Sequence, residues 1–353
     1  MAVALGTFVS AVKEKIGLEE LERKTIAIDA FNTIYQFLSI IRQPDGTPLV
    51  DAKGRVTSHL SGLLYRTINL VEHDITPIFV FDGIPPVLKK RTLEARMNAR
   101  KTALEGWETA KKKGLIEEAR TYAMKSTRIN EEIINSSKEL LNYMGIPFIQ
   151  APSEGEAQAA YLSKEGVVYA SASQDYDSFL YGADTVIRNI TVTGRRKLPK
   201  KNVFVEVSIE RTQLKDLLTS MGISLEKLIW LSILIGNDYD TGIAGIGPKT
   251  ALKIVKGHDS LSGVMQFVKE KYKAEIDANP SDVEGLFKRP DVLHLSASDI
   301  EMLKKNAKAD KGRLLKFMCD EHGFTTERVE KAAEKLVTKS ESANQKGINS
   351  WMQ

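Results

Sequence analysis

Short apolar runs that end in an acidic residue recur along the chain. Residues 25–29 and 77–82 are β-branched and aromatic runs, each closing with an aspartate, and residues 167–177 repeat the pattern with two aspartates at the end. These runs predict buried strands. After the first run, Ile34 and Phe37 lie on one face at helical spacing, which predicts an amphipathic helix. Strands that alternate with helices indicate an α/β fold.

The rest of the chain extends this alternation. We predict a mixed, mostly parallel central sheet flanked by helices. The further helices are predicted at residues 58–72, 130–144 and 225–235, and the further strands at 146–149, 186–192 and 203–207. From residue 338 the chain becomes polar, and we expect a flexible tail.

Composition places few additional limits on the function. The 353 residues are 42% hydrophobic and 27% charged, which is ordinary for a soluble globular protein. A single cysteine, Cys319, excludes an intrachain disulfide and suits a reducing compartment. The longest apolar run, residues 228–235, is too short to cross a bilayer, and the first 17 residues do not resemble a signal peptide. We therefore expect a cytoplasmic protein without a membrane partner.

Charge distribution is more informative than the net charge of +4. The segment from Lys89 to Arg128 holds twelve Lys or Arg and five Glu, an excess of 12 − 5 = +7. Its sequence is helix-permissive, and helical spacing places Lys89, Arg96 and Arg100 along one face. A solvated surface helix pair is the ordinary interpretation. The imbalance, directly after a strand that ends in Asp82, favours a helical arm that faces phosphates.

The acidic residues that end apolar runs form a candidate metal site. Parallel strands share a carboxyl edge, so acids at their ends are expected to lie close together. Ser153 and Glu156 also fit a capping box, and the aspartates at 175 and 177 also suit a turn, each about as well as a metal role. The recurrence of the pattern favours the metal site, with these candidates: Asp29, Asp82, Glu154, Glu156, Asp175, Asp177, Asp238 and Asp240.

The ligand types limit which metal such a site can bind. Two like charges about 4 Å apart repel by roughly 4 kcal/mol at an effective dielectric near 20, so converging carboxylates require cations. No histidine or cysteine accompanies these acids, which favours Mg²⁺ or Mn²⁺ over Zn²⁺. Two such ions can catalyse phosphodiester hydrolysis. Aspartyl-phosphate phosphatases also begin with an apolar strand, but their second acid is replaced here by Phe31.

A glycine-rich hairpin between two apolar helices predicts a second DNA contact. Gly242, Gly245 and Gly247 precede Pro248 and Lys249, and Pro248 suits the first turn of a new helix. Exposed amides at such a helix start bind phosphate. The whole pattern is typical of a helix-hairpin-helix element.

Taken together, these motifs resemble those of the structure-specific 5′ nucleases, and within them the flap endonucleases of archaeal type. The resemblance covers nearly the whole chain and implies a PIN/5′-nuclease-like fold. It is carried by Ile28-Asp29-Ala30, Tyr35-Gln36-Phe37-Leu38, Ile41-Arg42-Gln43, Thr57-Ser58-His59-Leu60, Val80-Phe81-Asp82-Gly83, residues 151–157, residues 173–177, and residues 236–239 with 245–249.

The resemblance implies that the protein cuts branched DNA near the base of a single-stranded 5′ flap, with 5′-3′ exonuclease activity, during Okazaki fragment maturation and repair. It implies one Mg²⁺ ion at Asp29, Asp82, Glu154 and Glu156. A second ion is implied at Asp175, Asp177 and Asp238, with Mn²⁺ as a substitute. Asp240 has no counterpart in the family.

The resemblance also implies roles for basic and aromatic residues. Lys89 and Arg96 of the arch would contact the scissile phosphate, Tyr35 would stack on a nucleobase, and Arg100 would contact DNA. Gly245, Gly247 and Lys249 would grip duplex DNA, with K⁺ held at the hairpin. The tail resembles a sliding-clamp peptide formed by Gln345, Ile348, Trp351 and Met352, in which Met352 replaces an aromatic residue.

From these features we expect a monomer in an archaeal cytoplasm, associated with the nucleoid. The predicted regions are 1–130 with a basic arch at about 88–130, 131–240, 241–337, and the tail 338–353. The chain begins Met1-Ala2-Val3, where many relatives begin Met-Gly, and we assign no role to this end. A noncatalytic clamp-linked DNA adaptor is the alternative from another class, and an exonuclease or bubble-cutting relative is the nearer one.

Overall fold

The computed structural model describes residues 3–192, 195–197, 204–274, 277–304 and 307–350. For residues 195–197, 204–206 and 340–350 it describes the backbone alone.

A mixed seven-stranded sheet confirms the predicted fold class. The strands are β1 Glu14–Ile16, β2 Thr25–Asp29, β3 Thr76–Phe81, β4 Phe148–Gln150, β5 Ala170–Ala172, β6 Thr185–Arg188, β7 Arg195–Lys197, β8 Phe204–Glu206 and β9 Ile209–Gln213. The strand order of the sheet is β1-β9-β6-β5-β2-β3-β4, and β7 pairs with β8 in a separate hairpin. Strand β5 is parallel to β6, whereas β9 is antiparallel to both β6 and β1.

Helices account for most of the remaining described residues. They are α1 Gly6–Val9, α2 Ala30–Ile40, α3 Ser58–Glu72, α4 Lys90–Lys112, α5 Ile116–Lys125, α6 Glu131–Tyr143, α7 Gly155–Lys164, α8 Leu214–Met221, α9 Leu225–Ile235, α10 Pro248–Lys256, α11 Leu261–Tyr272, α12 Pro280–Lys288, α13 Ala297–Leu303, α14 Lys311–Leu315 and α15 Thr326–Ser350. Short 3-10 turns lie at Glu19–Leu21, Val87–Lys89 and Asp177–Phe179, and a π-helical turn lies at Lys316–Glu321.

The chain divides into two compact units. The first unit contains residues 1–17, 80–95 and 150–294, and the second contains residues 18–79, 96–149 and 295–353. The core of the first unit includes Phe179 and Leu231, which are fully buried, and Trp230, whose indole Nε1 donates to Glu284 Oε1 at 2.7 Å. Burying side chains of this size contributes about 1.5–3 kcal/mol each before entropy is subtracted.

A buried helix, a tight turn and a second helix with one buried face form the predicted helix-hairpin-helix element in the first unit. Helix α9 begins at the N-cap Ser224, whose hydroxyl accepts from the Lys227 amide at 3.2 Å. Gly247 is the N-cap of α10, and Pro248 occupies its first turn as predicted. The amide of Ile243 donates to Leu234 O at 2.9 Å, so the turn folds back on the end of α9.

A turn in the second unit is fixed against helices α4 and α5. Gly46 has φ +85°, and a Cβ there would lie 2.7 Å from the Cβ of Ala123 on α5. Asp45 O accepts from the Trp107 indole on α4 at 3.3 Å. Arg42 donates to Gly46 O at 2.7 Å and to Thr127 Oγ1 at 2.8 Å. Only glycine fits this close approach with this backbone angle.

The end of the chain differs from the sequence prediction. Helix α15 extends to Ser350, so residues 338–350 are helical where we predicted a flexible tail. Residues with unbranched side chains, such as Gln345 and Lys346, tolerate a helix once packed residues upstream have nucleated it.

No single helix among the described residues is long and apolar enough to cross a membrane, although α8 and α9, bent by 75°, pass that test together on length and composition.

Candidate metal centre and DNA-contacting residues

Two predicted acids contact the ammonium group of Lys89 in the first unit, and a third, Asp82, acts on it electrostatically. Lys89 Nζ contacts Glu154 Oε2 and lies 3.1 Å from Asp238 Oδ2. Burial would lower the pKa of Lys89, but the carboxylates of Glu154 and Asp238, with a further contribution from Asp82, raise it above its ordinary value. The lysine is therefore charged and neutralises part of the cluster. This is an ion pair within the protein at a residue predicted to contact the scissile phosphate.

Asp82 follows β3, as the sequence predicted. Its Oδ1 accepts from the Gly155 amide at 2.7 Å, at the start of α7. Burial and the neighbouring charge of Glu154 raise the pKa of Asp82 to about 6. A Cβ at Gly155 would lie 2.7 Å from Asp82 Oδ1, so this glycine lets the strand end and the helix start approach.

The capping-box interpretation of Ser153 and Glu156 is wrong. The N-cap of α7 is Glu154, whose own side chain makes no capping hydrogen bond. Glu156 Oε1 instead accepts from the Ser178 amide at 3.0 Å and from its hydroxyl at 2.8 Å. At the helix start, the amide of Gly155 donates to Asp82 instead. Glu156 contacts Ser178, the residue that follows Asp177.

Asp177 is buried and Asp175 is half-buried after β5. Asp177 Oδ1 accepts from the Val3 amide at 2.8 Å, a contact between residues 174 positions apart in the chain. Burial raises the pKa of Asp177 to about 7; the bond from Val3 lowers it, and the charges of Asp238 and Asp175 raise it further. The amino-terminal segment, to which we assigned no role from the sequence, therefore helps to hold a predicted ligand.

Asp29 lies in the second unit at the end of β2, and its side chain caps α2. Its Oδ1 accepts from the Asn32 amide at 2.9 Å, and the residue is 7% exposed. Its place in the metal site stays a prediction.

The acids of the first unit fit a hard divalent cation in their chemistry. All candidate ligands are carboxylate oxygens, and two of them have a raised pKa because they are buried near other carboxylates. Such a group favours a bound cation. Among the described residues, no three acid, histidine or cysteine side chains already surround one point. In this conformation Lys89, the Val3 amide and Ser178 engage the acids, and the lysine supplies the positive charge.

The predicted DNA-contacting residues of the second unit include an aromatic–cation pair. The guanidinium of Arg100 on α4 lies 6.0 Å from the ring centroid of Tyr35, and the Tyr35 hydroxyl donates to Met124 O at 3.4 Å. Arg96 is half-buried on the same helix. The basic segment is helical as predicted.

Gly245, Gly247 and Lys249 are exposed at the hairpin of the first unit. Gly245 has φ +85°, and a Cβ at Gly247 would meet open space. Asp240, an acid that ends an apolar run but has no counterpart in the family, braces this hairpin. Its carboxylate accepts from the amides of Gly242 at 2.8 Å and Ala278 at 3.0 Å.

Two of the four predicted clamp residues, Gln345 and Ile348, are part of helix α15. Trp351 and Met352 lie outside the described residues. Clamp binding stays a prediction.

Comparison with known proteins identifies the family. Residues 1–103 match the XPG N-terminal domain, and residues 145–238 match the XPG I-region. The chain is 50% identical over 353 residues to flap endonuclease 1 of Thermococcus onnurineus, with 99% of both chains covered.

Solved structures agree with this match. The flap endonuclease-1 from Methanococcus jannaschii superposes with a TM-score of 0.74 at 37% identity, covering 97% of this chain and 99% of that one. The catalytic core of Rad2 in complex with DNA substrate has a TM-score of 0.67 at 25% identity, covering 95% of this chain and 100% of that one. These likenesses set aside the noncatalytic adaptor. The chain belongs to the flap endonuclease 1 family of XPG-type nucleases, and it is a structure-specific flap endonuclease.

Proposed function

We propose that this nuclease hydrolyses a DNA phosphodiester at the base of a 5′ flap with two Mg²⁺ ions. The observation that carries the proposal is the contact of Glu154 and Asp238 with the ammonium of Lys89, to which Asp82 contributes electrostatically. The raised pKa values of Asp82 and Asp177 indicate carboxyl groups that a bound cation would stabilise in their charged form, so the acids suit a metal.

The proposed ligands are those that the family resemblance implies. Asp29, Asp82, Glu154 and Glu156 would hold one ion, and Asp175, Asp177 and Asp238 the other. When bound, two such ions supply a nucleophilic water at neutral pH and stabilise the leaving oxygen. Mn²⁺ would substitute because it accepts the same oxygen ligands.

Lys89 and Arg96 would act on the scissile phosphate. The ammonium of Lys89 now pairs with Glu154 and Asp238. A phosphate oxygen is an alternative partner for this ammonium once other cations neutralise the carboxylates. Fixed positive charges at a developing phosphorane oxygen stabilise the transition state more than the ground state.

Binding of branched DNA would use both units. Tyr35 would stack on a base and Arg100 would contact the strand. In the first unit, Gly245, Gly247 and Lys249 would bind duplex phosphates through exposed amides and an ammonium. K⁺ would sit at this hairpin, where backbone carbonyls are available.

The cellular role follows from the substrate. We propose that the protein acts in Okazaki fragment maturation and DNA repair and that it also has 5′-3′ exonuclease activity. We propose further that it is a monomer close to the nucleoid. A sliding clamp would engage Gln345, Ile348, Trp351 and Met352. Titrating the clamp into the protein and into a variant that lacks residues 345–353 tests this contact, and equal binding by both would refute it.

The decisive experiment is cleavage of an end-labelled double-flap DNA with and without Mg²⁺. Single-stranded DNA and blunt duplex are the substrate controls, and Asp175→Ala is the protein control. We expect one product from incision at the flap base, only with metal, and none from Asp175→Ala. Equal degradation of all substrates would contradict the flap specificity but not the metal site. Cleavage in excess chelator would contradict the metal-dependent mechanism.

A further inference from the structure

One arginine contacts the residues on both sides of Asp175. Arg188 is the last residue of β6, and its Nε donates to Gln174 O at 2.9 Å. Its Nη1 donates to the Tyr176 hydroxyl, and its guanidinium carbon lies 4.5 Å from the centroid of the Tyr176 ring. A planar guanidinium can donate along its edge and stack with its face at the same time. The segment 174–176 is therefore held by one side chain from a neighbouring strand.

Arg188 is itself fixed by an ionic chain across the sheet. It faces Glu210 in the register of β6 and β9, and its Nη1 lies 3.5 Å from Glu210 Oε2. Glu210 Oε1 also accepts from Lys13 Nζ at 2.6 Å. The side chains of Arg188 and Glu210 are 26% and 14% exposed, so water screens this chain only in part. The ion pair with Glu210 therefore helps to orient the guanidinium that contacts residues 174–176.

Further contacts restrain the acidic segment, residues 173–177. The Asp175 amide donates to Ser173 Oγ at 3.2 Å, and Asp177 Oδ1 accepts from the Val3 amide. Tyr176 packs on Phe179 with ring centroids 6.4 Å apart. Fixing Gln174 and Tyr176 thus sets the direction in which the carboxylates at 175 and 177 leave the backbone.

We propose that Arg188 is a positioning residue for the metal ligands Asp175 and Asp177. It does not touch the reacting phosphate in this role; it acts through the Gln174 carbonyl and the Tyr176 ring. Partners that orient metal ligands typically change metal affinity or activity by 10- to 100-fold when they are removed. The inference rests on the proposed metal-dependent function, since it concerns ligands of that site.

The same sheet offers a matched control. Arg211 on β9 faces Ile187 in the register beside Arg188, and its side chain is 20% exposed. It pairs with Glu14 at 2.7 Å and donates to the Tyr169 hydroxyl at 3.4 Å. Arg211 therefore has an ion pair and a tyrosine contact like those of Arg188, but neither contact involves the segment that carries the acids.

The test measures metal binding directly. Mn²⁺ is titrated calorimetrically into the full chain without DNA, for the unsubstituted protein, Arg188→Ala, Arg188→Lys, Tyr176→Phe and Arg211→Ala. We expect Arg188→Ala to weaken Mn²⁺ binding about 10-fold or more. Arg188→Lys keeps the positive charge but not the planar guanidinium, and Tyr176→Phe keeps the ring but not the hydroxyl. Both should therefore weaken Mn²⁺ binding less than Arg188→Ala does. Arg211→Ala should match the unsubstituted protein.

A second measurement separates positioning from general stability. The Mg²⁺ concentration that gives half-maximal flap cleavage should rise for Arg188→Ala and not for Arg211→Ala, while thermal melting in chelator shows how far each variant is folded. Equal Mn²⁺ affinity for the two alanine variants would overturn the proposal. If Arg188→Ala does not fold, Arg188→Lys and Tyr176→Phe decide, and unchanged affinity in both would overturn it. No Mn²⁺ binding by the unsubstituted protein would refute the proposed function itself.

Discussion

Each unit contains a carboxylate site, and the carboxyl pKa values of the two sites are shifted in opposite directions. In the first unit, burial and neighbouring charges raise the pKa values of Asp82 and Asp177 to about 6 and about 7. In the second unit, Asp51 is 2% exposed at its side chain, yet its pKa is lowered to about 2. Burial alone would raise the pKa of Asp51; hydrogen bonds outweigh it.

The difference lies in the partners. Asp51 accepts from the amides of Lys53 and Arg55 at 2.9 Å each and from Arg55 Nε at 2.7 Å, and it lies 3.1 Å from Nδ1 of the buried His322. Asp177 accepts from one amide and lies near two other acids. A carboxylate with a full set of donors stabilises the fold, whereas one placed among acids favours a further cation. Burial alone does not distinguish these two roles.

The largest expected effect comes from neutralising an acid of the first site. Asp177→Asn should reduce flap cleavage by roughly 1,000-fold or more, equivalent to about 4 kcal/mol of transition-state stabilisation. In chelator the same variant should melt at a higher temperature at pH 8, because a repelling charge is gone. Single-turnover cleavage and thermal melting measure the two effects. A variant that is both active and less stable would place Asp177 in the same class as Asp51.

Removing the acid of the second site should have the reverse effect. Asp51→Ala leaves Arg55 and two backbone amides without their acceptor, which should lower the free energy of unfolding by about 3 kcal/mol. The cleavage rate of the DNA-saturated enzyme should persist at temperatures where the variant is folded. Denaturant unfolding and single-turnover kinetics decide this. A large fall in rate with unchanged stability would contradict the comparison.

The two sites should also differ in the pH dependence of stability. A carboxyl whose folded pKa is raised stabilises the fold when protonated, and this contribution is lost as pH rises. For Asp82 and Asp177 the loss spans about pH 4 to 7. Asp51 has a lowered pKa, so its contribution is present above about pH 4 and is lost as pH falls toward 2. The melting temperature of the metal-free protein should therefore be highest near pH 4 to 5, and Asp177→Asn should reduce its fall at higher pH.

A smaller effect is expected from the glycine beside Asp82. Gly155→Ala would place a Cβ 2.7 Å from Asp82 Oδ1 and displace that carboxylate. We expect about a 10-fold loss of cleavage rate. Gly285→Ala on α12 is the control, since a Cβ there meets open space; it should leave cleavage unchanged and stabilise the fold by about 0.5–1 kcal/mol. Equal rates for both variants would show that Asp82 tolerates the shift.

The sequence predicted the fold where periodicity and turn chemistry agree. Helix α3 has its predicted bounds, and Pro248 begins α10 as expected. Strand β5 is shorter than its apolar run, because Val167 and Val168 donate to Leu162 O at the end of α7 instead of entering the sheet. A run of apolar residues indicates burial but does not indicate which element buries it.

The sequence also indicated the acids of the first site, because the aspartates follow apolar runs and Glu154 and Glu156 lie at a predicted helix start. It did not indicate the ion pair of Lys89 with Asp238, the contact of Val3 with Asp177, or the contact of Arg188 with Gln174. Each of these contacts joins residues from different elements, and neither spacing nor composition encodes such pairs. The family resemblance transfers ligands position by position, but it does not describe how the unliganded acids are held.

The packing of Gly46 has a consequence for how this chain can vary. Its neighbours on α5 include Ala119 and Ala123, and the Cβ of Ala123 already lies where a side chain at position 46 would be. In evolutionary terms positions 46 and 123 constrain each other, because a larger residue at 123 would be accepted only with a rearranged turn. Among homologues, substitutions at 46 and 123 should therefore covary, and a library that varies position 46 alone should recover glycine almost exclusively.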